Sequence, residues 1–353
     1  EAISSMAVIT SINCLANKFG DEGLATLLEA AKSSSVRSLC GLVEGQTTAD
    51  FSKMNLGPID CKIMAAEFEF CGFIAAVNEV NVSQNPIGVE GGKALANVIP
   101  ECLSLRWIVV GKAARIPVHN SEVTSIDASG QDLGPGEVTV LAAAISTDAV
   151  LNSLALGSNL IGDEAMIQLL DVLKDVSLTY FDISETGCGV STASKLAELL
   201  SEETAFKAVL ASLNLSGNKI TDYDRDLSGL SALGEAIVPS KTLKSVDLSD
   251  CGIEVKGVTE VAKFISAGAV LKKVVLSQNK LFGQETSYPY GHTVDANQTG
   301  WSALCDALPS SPLEELIVAD IGMGVTGVTS LAKAISSMAA PAKVNVLSNP
   351  IGA

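Results

Sequence analysis

The residues able to do covalent or metal chemistry are few, and their spacing speaks against it. The two histidines, His119 and His292, fall in loop-like stretches without a Cys, Asp or Glu constellation at zinc or triad spacing. We expect both to be exposed loop imidazoles, with no catalytic residue and no metal site. The eight cysteines, Cys14, Cys40, Cys61, Cys71, Cys102, Cys188, Cys251 and Cys305, include no CxxC pair. Most occupy apolar positions, so they read as reduced small hydrophobes in a reducing compartment. The glycines of "GVEGGK" at 88–93 lack the GxxxxGK[ST] pattern of a phosphate loop and open a helix instead. No cofactor is expected.

What remains is recognition chemistry. In "RWIVVGKAAR", Trp107 takes an outward strand position beside Arg106, with Lys112 and Arg115 following, in an otherwise acidic chain. Trp with Arg is enriched at binding hot spots, although a Trp capping an irregular segment is an equal reading. A column of Asn and Asp (Asn13, Asn81, Asp127, Asp182, Asn214, Asp247, Asn345) runs beside a column of Ser and resembles a polar track. Its character changes at Val275 and Ile317, flanked by Lys272, Lys273, Glu314 and Glu315, which makes the better contact candidate. The segment "GQETSYPYGHTVDANQ" at 283–298 carries Tyr288, Tyr290 and His292, and long loops on rigid scaffolds commonly carry function.

Charge limits the partners. Lys and Arg total 23 against 40 Asp and Glu, a net charge of -17, which opposes phosphate backbones and anionic lipid surfaces. No apolar run reaches the roughly 18 residues of a membrane span, and "EAISSMAVITSINC" lacks the basic region and cleavage pattern of a secretory signal. The expectation is one or more protein partners, up to a large assembly, with no nucleic acid and no membrane insertion. The compartment is expected to be intracellular and cytoplasmic. Because the first residue is Glu1, an organelle reached after removal of a targeting segment stays open.

These side chains need a frame, and the frame is a repeat. With 353 residues, 47% hydrophobic and only 4% aromatic, the chain must build several domains or an elongated array from Leu, Val, Ile and Ala. One phrase recurs: "LNSLALGSNLI" at 151, "LASLNLSGNKI" at 210, "LKSVDLSDCGI" at 243 and "LKKVVLSQNKL" at 271. Its form, LxxLxLxxNxL, resembles the leucine-rich repeat, with weaker copies at 9, 77, 123, 178, 313 and 341. Ninth-position residues from Gln131 to Asn349 lie 28, 27, 32, 33, 28, 42 and 28 apart, leaving room for a helix between strands. Helical spacing follows in Val258, Val261, Ala262 and Ile265, and in Val328, Leu331, Ala332 and Ile335. The unit therefore resembles the ribonuclease-inhibitor-like subclass. That resemblance implies an α/β solenoid, a horseshoe of about a dozen strands with a concave parallel sheet and convex helices.

The same resemblance implies a turn ladder at Asn17, Asn85, Asn159, Asn218, Cys251, Asn279 and Asn349, Cys being the family's accepted alternative. Gln131, Thr186 and Ile321 depart from it. Stretches 36–58 and 105–135 each hold two strand phrases too close for a helix between them, so two short helix-free units with loop connectors near 43–50 and 111–122 are expected. Residues 1–353 are read as one solenoid, with 283–298 as an inserted loop. "VNVLSNPIGA" ends where a helix should begin, so the C-terminal cap is expected to be missing. The organisation is similar to microbial-eukaryote proteins described as resembling innate-immune leucine-rich-repeat receptors. The function expected is a non-catalytic interaction or assembly scaffold. The alternatives are a GTPase regulator resembling Ran GTPase-activating proteins, or a sensor fragment of an immune-type receptor.

Overall fold

The computed structural model describes residues 9–70, 73–147, 150–283, 294–338 and 343–351. Two compact units emerge, Glu1–Leu151 with Asn159–Val172, and Asn152–Ser158 with Leu173–Ala353. Each is a β–α solenoid in which three- or four-residue strands alternate with helices.

In the first unit, strands β1 (Thr48–Asp50), β2 (Glu79–Asn81) and β3 (Trp107–Val110) lie parallel, with Thr48 beside Glu79 and Glu79 beside Trp107. Period-two alternation sends Ala49, Val80 and Ile108 inward to almost complete burial and leaves Thr48, Asp50, Glu79 and Asn81 more exposed, whereas Val109 beside Ile108 is buried too. Strand β4 (Ala114–Pro117) turns back antiparallel on β3, pairing Trp107 with Pro117, and β5 (Ser125–Asp127) follows. The helices are α1 (Asp21–Lys32), α2 (Pro58–Phe70), α3 (Gly88–Val98), α4 (Pro135–Ile145) and α5 (Gly162–Leu173). Pro58 and Pro135 open their helices, where a missing N–H costs nothing. Helices α3 and α4 approach so closely that a Cβ on Gly92 would strike the Gly136 carbonyl.

The second unit stacks β6 (Ser153–Ala155), β7 (Tyr180–Asp182), β8 (Ser212–Asn214), β9 (Ser245–Asp247), β10 (Lys273–Val275), β11 (Glu315–Ile317) and β12 (Lys343–Asn345) in chain order, all parallel. Leu154, Phe181, Leu213, Val246, Val274 and Leu316 form its inward row, each at most 1% exposed. At about 1.5–3 kcal/mol per buried aliphatic side chain, this row drives the stacking. Helices α6 (Val190–Ser201), α7 (Ala205–Val209), α8 (Ser228–Ile237), α9 (Val255–Ser266), α10 (Thr299–Ala307) and α11 (Val325–Ser336) complete it.

Both short stretches are free of helix between their strand phrases, but the connectors are not simple loops. Residues 48–50 form β1, and the connector 111–122 contains β4, which turns back on β3 as a hairpin, while the second phrase forms β5. A tight reversal at Gly111, φ 60°, makes the hairpin possible. In α11 the expected apolar stripe is only partly used: Leu331 and Ala334 are buried, whereas Ala332 is exposed. No helix among the described residues is long and apolar enough to cross a membrane.

Candidate functional site

Most polar residues on the strand side are committed to the backbone. Asn279 Nδ2 donates to Leu276 O (3.0 Å) in its own turn and to Leu248 O (2.7 Å) in the preceding repeat. Its Oδ1 accepts the N–H groups of Cys251 and Ile253, both at 3.0 Å. Asn85 serves Met54 and Leu56 this way, Asn218 serves Thr186 and Cys188, and Asn349 serves Ile321 and Met323. Asn159 accepts from Leu133 and donates to Ala128 O, while Asn17 donates to Cys14 O and Leu15 O. Because each of these Asn residues except Asn17 caps the turn before its own, a repeat lacking Asn keeps its turn if the next repeat has one. Thr186, Cys251 and Ile321 all follow a left-handed residue, Glu185, Asp250 and Asp320, with φ of 52°, 48° and 54°. Cys251 Sγ reaches Leu215 O (3.3 Å), and Gln131 Oε1 accepts from Ala113 (3.2 Å).

The outward Asn/Asp column is committed too. Asn81, Asp127, Asp182, Asn214, Asp247 and Asn345 each accept, through Oδ1, the N–H two residues on, at 2.9–3.1 Å. Asp50 does the same with Ser52, whose N–H holds the Asp50 carboxyl below its ordinary value. These are strand-ending Asx turns. The column is interrupted singly at Val109 of β3 and Ala155 of β6, and over two adjacent strands at β10 and β11, where Val275 is 7% exposed and Ile317 half-buried. There Ser277 Oγ accepts the Ala319 N–H instead (3.1 Å). Around them, Lys273 and Lys343 both meet Glu315, at 3.5 and 3.0 Å, and Lys272 meets Glu314 at 2.7 Å. The Lys343 hydrogen bond, with both lysine charges, holds the Glu315 carboxyl below its usual range.

In the first unit, the Arg115 guanidinium stacks 3.6 Å from the Trp107 ring and donates to Glu79 Oε2 at 2.8 and 3.1 Å. Arg106 turns back to Leu103 O and Leu105 O. Tyr288, Tyr290 and His292 lie outside the described residues. His119 is not an exposed imidazole: it is half-buried, with Nε2 buried and unpartnered among the described residues. Among the described residues, no group of three His, Cys, Asp or Glu side chains could hold a metal ion.

Sequence reasoning missed three carboxylates. Asp224 accepts N–H groups from Glu254, Lys256 and Gly257 at the start of α9, and Asp295 from Gly324, Thr326 and Gly327 at the start of α11. Both belong to the two longest repeats, so the extra residues return to cap the next helix. Glu67, 2% exposed, accepts from Leu39 and Cys40 in the first short unit. An Asp in an overlong repeat is the signal that could have found the first two.

The leucine-rich-repeat family model matches residues 77–96, 208–223 and 240–262. The chain is 22% identical to ribonuclease inhibitor from Mus musculus and 24% identical to that from Sus scrofa, over 99% of its own length in both cases. It spans 67% and 66% of those relatives. Among solved structures it is similar to a chain of the TLR13-ssRNA13 complex, at 14% identity and a TM-score of 0.33, covering 97% of this chain and 38% of that one. The recurring Asn-capped β–α unit and the whole-length likeness to two ribonuclease inhibitors agree, and both support a leucine-rich-repeat architecture similar to that of the ribonuclease inhibitors.

Proposed function

We propose that this chain is a non-catalytic scaffold that recognises a protein partner through the outward face of β10 to β12, centred on Val275 and Ile317. One observation carries the reading. Where neighbouring strands place an Asx residue bonded to its own turn, β10 and β11 place aliphatic side chains, framed by the Lys273, Glu315 and Lys343 ladder. Apolar centres with charged rims are how protein interfaces are built. The stacked Trp107 and Arg115 offer a second contact, in the first unit, and Arg115 must leave the ring for a partner to use its face. Seven described cysteines are unbridged, which supports a reducing, intracellular setting.

Ile317→Asp tests the reading with little risk to the fold, because Asp247 is the natural residue of this column two strands away. Partners are recovered from the natural source by crosslinking and mass spectrometry, with circular dichroism checking the fold. The expected result is loss of the wild-type partner on Ile317→Asp. Recovery of the same partner at the same yield overturns it.

A further inference from the structure

Charge is distributed unevenly along this chain. The first 203 residues hold 11 Lys and Arg against 26 Asp and Glu, whereas the remaining 150 hold 12 against 14. Part of the basic share is concentrated where the chain enters β9 to β12. Lys272 N–H donates to Lys244 O (2.7 Å), Glu314 N–H to Lys272 O (2.8 Å) and Lys343 N–H to Glu314 O (2.8 Å), so these residues stack strand by strand. With Lys241 and Lys273 this edge carries five lysines against Glu314 and Glu315. Those two carboxylates are engaged by Lys272, Lys273 and Lys343. Lys241 and Lys244 are exposed and meet no carboxylate among the described residues; Lys244 Nζ donates only to Lys241 O, at 2.9 Å.

We infer that this edge receives a short carboxylate-rich segment of the protein partner, its acidic side chains over Lys241 and Lys244 and its following residues over Val275 and Ile317. The inference rests on the scaffold reading above and specifies the chemistry of its partner. Three strand steps of about 4.8 Å separate β9 from β12, a span of about 14 Å that four or five extended residues cover at about 3.3 Å each. A site of that length suits a peptide segment. A nucleic-acid strand would run beyond it into the field of a chain of net charge -17, where like-charge repulsion opposes it.

The test is a fluorescence-anisotropy titration of the full chain with labelled hexaglutamate, beside hexalysine and a short thymidine oligonucleotide. Hexaglutamate should bind more tightly than either, and its affinity should fall as salt is added. The double reversal Lys241→Glu with Lys244→Glu should weaken hexaglutamate by about tenfold or more. Lys112→Glu, at an exposed lysine of the first unit paired with Asp132, should leave it unchanged. Equal binding of the two peptides, tighter binding of the oligonucleotide, or indifference to the double reversal overturns the inference. The two readings fail separately: if Ile317→Asp abolishes partner recovery while hexaglutamate ignores the lysines, the apolar centre stands and the acidic partner does not, and if Ile317→Asp leaves partner recovery unchanged, the scaffold reading falls.

Discussion

Replacing Asn279 with Ala removes the link that joins two repeats. Four good hydrogen bonds disappear, to Leu276 O, Leu248 O, Cys251 N–H and Ile253 N–H, at 2.7–3.0 Å. Asn279 is 1% exposed, and Cys251 and Ile253 are fully buried. At about 1 kcal/mol net per bond, with the two N–H groups left without water or a substitute, the loss is about 3–5 kcal/mol. Among the described residues Asn17 makes two bonds, both within its own turn, so Asn17→Ala should cost about 1–2 kcal/mol. Urea unfolding followed by circular dichroism measures both. Amide exchange locates the effect, because Cys251 and Ile253 N–H should lose protection in the first variant alone. Equal costs for the two variants, or unchanged exchange at Cys251 and Ile253, would refute the argument that each Asn acts mainly on the repeat before it.

The trans-repeat cap makes a prediction about pH. Three backbone N–H groups at α11, with a hydrogen bond from Gln298, hold the Asp295 carboxyl below its ordinary value even though partial burial pushes the other way. A carboxylate with a lowered folded-state pKa contributes stability that is fully present above its unfolded value, about 3.9, and is lost as pH falls through the folded one. Asp295→Ala should therefore destabilise by about 1–2 kcal/mol near neutral pH, with the difference from wild type shrinking below about pH 4. A constant difference across that range would remove the charge from the explanation. The thiols supply another prediction. Burial, with acidic neighbours adding to it, pushes Cys61 and Cys305 up to about 12 and raises Cys40 and Cys251 well above their ordinary value. Among the described cysteines, partly exposed Cys102 should react first with a disulfide reagent, and these four only as the protein unfolds. Rapid labelling of Cys251 in the folded chain, mapped by mass spectrometry, would contradict the burial argument.

How much of this was legible in the sequence depends on how far each cause lies from its effect. Val246 and Leu248 point inward and Ser245, Asp247 and Ser249 outward because alternation is local to five residues. The strand and helix of each repeat follow for the same reason. The role of Asp295 was legible only as an Asp in an overlong repeat, since it belongs to one repeat and caps a helix beginning 30 residues later at Val325. The β3–β4 hairpin was hidden because β4 carries no repeat phrase: it lies in the connector 111–122, which reads as a loop, and Gly111 allows the chain to reverse there. The candidate surface was obscured by residues that serve the fold. Asp182, Asn214 and Asp247 look like a binding track, yet each has an oxygen bonded to its own turn, and Arg106 is tied to Leu103 and Leu105. A repeat protein must solve the same backbone problem in every unit, so polar residues at fixed positions carry little information about partners. The informative residues are those the backbone does not use. Ile317 stands where a turn acceptor would be, and Lys241 and Lys244 stand exposed without a carboxylate among the described residues, so a partner has the most to gain there.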